Sequence, residues 1–119
     1  MSYRKRALLV AMVCVVPVHA YANMDVTNVR GEDVAYFERI DDSVTLLMGA
    51  VESCQASDGD LYRCLCDYPT IVEQVDESLD SAIESHPAWE DRALEYEGKT
   101  LQIPILRQQV EDVLAECES

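Results

Sequence analysis

The chain has 119 residues, with 23 acidic side chains against nine basic ones and a formal charge of −14. That balance excludes a surface for nucleic acid or for anionic membranes, since both need clustered cations. The length suits one domain with a modest core.

Residues 1–22 read as a secretory signal peptide that is removed. Arg4-Lys5-Arg6 forms the basic start, Ala7 to Val16 the apolar run, and Ala20-Tyr21-Ala22 the small-x-small site. The apolar run is far shorter than the roughly 20 residues that span a bilayer. Pro17 breaks the helix before the cleavage region. Cleavage is expected after Ala22, with Ala20 the alternative. Ala11-Met12-Val13 before Cys14 lacks the small residue expected beside a lipidated cysteine. No second apolar run reaches spanning length, so no stable membrane insertion is expected after cleavage, and the protein is expected in the periplasm or secreted. Losing Arg4, Lys5 and Arg6 removes three of the nine cations and no acid, which moves the formal charge from −14 to −17.

Residues 23–31 show no period and read as a flexible arm; residues 32–119 read as one helical domain. Phe37, Ile40, Val44, Leu47, Val51 and Cys54 recur every three or four residues and predict a helix over 32–55. Glu32, Asp33 and Glu38 crowd its start, where the helix dipole favours acids. Ser57-Asp58-Gly59-Asp60 is a turn signal, and Leu61 to Cys66 a short helical turn. Thr70 with Glu73 fits a capping box opening a second amphipathic helix, with Val72, Val75, Leu79 and Ala82 or Ile83 inward. Pro87 ends that helix near Ser85. The period then changes. Leu94, Tyr96, Leu101 and Ile103 alternate with polar residues around Gly98-Lys99, which predicts a β-hairpin over 93–103 with a type II′ turn. The competing reading is a helix over 88–97 followed by a loop. Pro104 opens the last helix, whose stripe is Leu106, Val110, Val113 and Cys117. The expected fold is mainly α: a small disulfide-stapled bundle of three amphipathic helices with this hairpin.

Cleavage would reduce five cysteines to four: Cys54, Cys64, Cys66 and Cys117. An even count in a small exported domain reads as two disulfides. Pairing Cys64 with Cys66 would close a tiny strained ring. Two pairings remain. We favour Cys54–Cys64 with Cys66–Cys117 over Cys54–Cys66 with Cys64–Cys117. A zinc site or a redox pair would more commonly show Cys-x-x-Cys, which is absent.

Catalytic motifs are missing. His86 is the one histidine outside the leader, beside a proline at a helix end, where capping is the commoner role. No nucleophile elbow, zinc-protease helix or phosphate loop occurs. Asp58-Gly59-Asp60 lacks the later ligands of a calcium loop. No cofactor or metal is expected. Tyr62, Tyr68, Trp89 and Tyr96 form a candidate recognition set, with Tyr62, Tyr68 and Trp89 the named partner-binding residues, because Trp and Tyr dominate interface hot spots. For Trp89 core filling in a small domain is the commoner role. The expected function is a non-enzymatic binding protein for a basic protein partner, of inhibitor or immunity type. The alternative is a structural or accessory envelope protein acting as a homo-oligomer.

Overall fold

The computed structural model describes residues 24–55 and 60–118. The leader expected over 1–22 lies outside them, as does the turn expected at 57–60 but for Asp60. Strand β1 (Asp25–Asn28) leads through one turn of 3-10 helix (Gly31–Asp33) into α1 (Val34–Gln55). Then come α2 (Leu61–Leu65), α3 (Pro69–Ser85), a second 3-10 turn (Pro87–Asp91), β2 (Arg92–Tyr96), β3 (Lys99–Gln102) and α4 (Ile103–Glu118). The protein is mainly α, a disulfide-stapled helical bundle with a small sheet.

The core follows the apolar stripes. On α1 every stripe residue from Phe37 to Cys54 is buried, and α3 contributes Val72, Val75, Leu79 and Ala82. Helix α4 contributes Ile103, Leu106, Val110 and Val113. Each Val, Leu, Ile or Phe among them contributes roughly 1.5–3 kcal/mol by leaving water. Two serines interrupt the apolar surface where α1 meets α3. Ser43 Oγ donates to the Ile40 carbonyl at 2.9 Å and Ser78 Oγ to the Gln74 carbonyl at 2.8 Å, so neither hydroxyl is stranded.

The favoured cysteine pairing is the one that forms. Cys54 joins Cys64 and Cys66 joins Cys117, with Cα separations of 5.9 and 5.4 Å. The first bridge ties α1 to α2, and the second ties the end of α2 to the last turn of α4. Cys117 departs from the expected inward position: it is exposed. It continues the Leu106–Val113 stripe into the last turn of α4, where its sulfur meets Cys66.

Three local expectations need correction. Residues 25–28 are not an arm but a strand, paired in parallel with β2 in the register Asp25↔Arg92 to Asn28↔Glu95. The pairing is continued by the Val29 amide donating to the Glu95 carbonyl at 3.0 Å, and Val29 itself is buried. Strand β1 lies mostly exposed at the sheet edge, so it carries no alternating pattern to read. The hairpin is present, but its turn is Glu97-Gly98, with Tyr96 opposite Lys99. Both turn residues have positive φ, 48° and 80°, the requirement of a type I′ turn and not of II′. Finally, α3 starts one residue before Thr70. Pro69 occupies the first turn, and Tyr68 caps the helix without a side-chain bond, so the Thr70–Glu73 box does not form. Asp60 does act as a cap: its carboxylate accepts the Tyr62 amide at 3.0 Å at the start of α2.

Candidate functional site

Beside the core stripe, α1 carries a second line of residues, Ala35, Arg39, Asp42 and Leu46, again three or four apart. Helix α3 faces it with Gln74, Glu77, Ser78 and Ser81. Because Ser43 and Ser78 are small, a trough opens where the two helices meet, with a cavity of about 500 Å³ toward the Leu46 end. A second cavity of about 520 Å³ lies toward His86 and is walled by Glu32, Asp33 and Tyr36. The two adjoin at Arg39 and Ser81, and together they make an open channel along α1 and α3. Leu46 is 51 % exposed, a large apolar side chain on an otherwise polar wall.

The His86 end is rigidly built. His86 follows α3, and its amide donates to the Ala82 carbonyl at 2.8 Å. Its imidazole stacks on Trp89, with centroids 4.0 Å apart, and Nε2 lies 2.9 Å from Asp33 Oδ1. Tyr36 stands edge-on to both rings, and its hydroxyl pairs with Ser85 Oγ at 2.7 Å. These contacts join the start of α1 to the end of α3. The His–Asp pair lacks a nucleophile among the described residues: no hydroxyl there is hydrogen-bonded to His86, and Ser85 is engaged with Tyr36. The arrangement holds two helix ends together.

The expected recognition set is not a surface cluster. Trp89 and Tyr62 are each only 5 % exposed, and burial removes them from reach of a partner. The Tyr62 hydroxyl donates to Gln109 Oε1 at 2.8 Å. Burial, followed by the Asp112 and Asp60 carboxylates, raises its pKa and keeps it a neutral donor. Tyr68 is half-buried against the core, and Tyr96 packs edge-on to Phe37 at 5.6 Å. Trp89 and Tyr62 belong to separate places, the first beside His86 and the second beneath α4. Trp89 takes the core-filling role, and Tyr62 joins it as a packing group. The trough residues Arg39, Asp42, Leu46 and Glu77 went unread, although the second three-four spacing on α1 was their signal.

Acidic side chains dominate the outer helix faces. Asp76, between α3 and α4, has its carboxyl pKa raised by burial first and by neighbouring Asp80 second, with Arg107 opposing. Arg107 in turn pairs with Asp80 at 2.6 Å. Among the described residues, no group of three or more His, Cys, Asp or Glu side chains is placed to hold a metal ion. No described helix is long and apolar enough to cross a membrane. No family model, curated protein or solved structure matches this chain.

Proposed function

We propose that this is a small acidic binding protein, exported by its leader to the periplasm or the medium and acting without catalysis on a basic protein partner, as an inhibitor or immunity protein does. The observation that carries the reading is an acid-rimmed channel between α1 and α3. Glu32, Asp33, Asp42 and Glu77 line the channel against the single guanidinium of Arg39. Two disulfides and the His86–Asp33 contact hold the framework that displays it. Preorganised carboxylates steer a cationic partner and make its association sensitive to salt. Export supplies the oxidising compartment that the bridges require.

The test uses the protein purified after export from the full chain and immobilised on resin. Envelope and medium fractions are passed over it at low and high salt. The expected result is a basic protein held at low salt and released at high salt. A stable homo-oligomer in sedimentation, with nothing retained at either salt, would overturn the reading.

A further inference from the structure

The two bridges differ in what can reach them. Cys54 is 2 % exposed on the buried stripe of α1, and Cys64 packs against the core. Cys66 is half-buried, and Cys117 is exposed in the last turn of α4. A disulfide is opened by a thiolate that reaches one of its sulfurs, so access decides which bridge reacts in the folded protein. A terminal helical turn also frays at little cost, whereas Cys54 is uncovered only by opening the core. Of the four bridged cysteines, Cys117 therefore offers the most open route. Its surroundings are charged. Glu116 and Glu118 flank it, Asp67 follows Cys66, and the Arg63 guanidinium lies 3.9 Å from the Glu116 carboxylate. Three carboxylates against one guanidinium repel an anionic thiol and admit a neutral or cationic one.

We infer that the Cys66–Cys117 bridge is a site of thiol–disulfide exchange with neutral or cationic small thiols, while Cys54–Cys64 stays closed in the folded protein. The incoming thiolate attacks Cys117 Sγ. A bond from its sulfur to Cys117 forms as the Cys66–Cys117 bond breaks, and the electron pair leaves on Cys66, which takes a proton from water. The Tyr62 carbonyl, 3.5 Å from Cys66 Sγ, is in place to accept the new thiol. With a dithiol, the second thiolate attacks its own sulfur in the mixed disulfide. That closes the oxidised reductant as a ring and releases Cys117 as a thiolate, so two electrons pass from the dithiol to the bridge. The reaction unties the last turn of α4 from the end of α2, while Ile103, Leu106, Val110 and Val113 hold the rest of α4 in the core. The two Cα atoms start 5.4 Å apart, within the range a bridge requires, so the thiols stay placed for reoxidation. The C-terminal turn is thus a reversible, redox-sensitive latch.

The test uses the disulfide-bonded protein purified after export. It is held in native buffer with dithiothreitol, sampled over time, alkylated and digested, and the alkylated cysteines are quantified by mass spectrometry. Cys66 and Cys117 should be alkylated at least about tenfold faster than Cys54 and Cys64, with the helical circular dichroism signal retained. One common rate for all four, or earlier alkylation of Cys54 and Cys64, would overturn the inference. A monothiol identifies the attacked sulfur. Cysteamine should leave its adduct on Cys117, and an adduct mainly on Cys64 or Cys66 would overturn the assignment. Charge selection is read from the rates of cationic cysteamine and anionic glutathione, each divided by its rate with an uncharged small disulfide. Cysteamine should be favoured severalfold, less so at high salt. Glu116→Gln/Glu118→Gln should bring the two rates together, with thermal melting to check the fold. An unchanged ratio in that variant would refute the selection by charge.

Discussion

Replacing Cys66 and Cys117 together by serine removes the bridge that fastens α4 to the end of α2. Cys117 is exposed and Cys66 half-buried, so little packing is lost with the sulfurs. The main effect falls on the unfolded chain. The bridge spans a sequence separation of 51 residues, and releasing a loop of that length restores chain entropy worth about 4 kcal/mol. For a domain of this size each kcal/mol moves the melting midpoint by about 4–8 °C, so a drop of about 15–30 °C is expected. The Cys54–Cys64 bridge spans only 10 residues, and its chain-entropy share is smaller, about 3 kcal/mol. Urea unfolding of the oxidised proteins, followed by circular dichroism, gives the free energies directly. It should also show a steeper transition for the Cys66→Ser/Cys117→Ser protein, whose unfolded state is more open. A loss below about 1 kcal/mol with an unchanged slope would refute the assignment of this bridge as the main restraint on the unfolded chain.

Four other substitutions probe separate parts of the structure. Trp89→Ala should cost about 3–5 kcal/mol in urea unfolding, because the ring is buried against His86 and Tyr36; a change under 1 kcal/mol would return Trp89 to the surface role. Gln102 is buried with neither amide atom hydrogen-bonded, so Gln102→Met should raise stability by about 1–3 kcal/mol, and a decrease would mean that the amide has a partner. Glu97 holds a left-handed φ of 48°, which asparagine tolerates better, so Glu97→Asn should raise the melting temperature slightly, and a lower value would contradict the type I′ turn. The Asp76 carboxyl has a raised pKa, so the folded state binds its proton more tightly than the unfolded one, and stability falls as pH rises from 3.8 through the folded pKa. Asp76→Asn should therefore stabilise at pH 7, with the gain vanishing below pH 3.8; a gain independent of pH would exclude this cause.

The long helices were legible because their burial repeats along the chain: one stripe from Phe37 to Cys54 suffices to place α1 and its inward face. The disulfide pairing was legible from spacing and compartment, with one alternative left standing. What escaped depends on residues distant in sequence. Strand β1 exists only because residues 92–95 lie beside it. The turn of the hairpin slipped by one residue because glycine can fill either central position, and only the Leu94↔Leu101 register decides which. Core filling was the commoner role for Trp89 and is the one it takes, whereas nothing local marked Tyr62 as buried, because Tyr serves cores and interfaces alike and burial is a property of the packed chain. The channel is formed by two stripes on different helices, each reading alone as a solvated face.

The parallel pairing of β1 with β2 carries a consequence for the order of assembly. During synthesis residues 25–28 emerge early, while their partner strand, residues 92–95, emerges near the end. The helix pair α1–α3 can collapse in the interval, but β1 has nothing to bond until most of the chain is made. An unpaired strand edge invites association with other chains. Asp25, Thr27 and Asn28 give this one a polar sequence that resists it, so the first strand to appear can wait in water until its partner strand arrives.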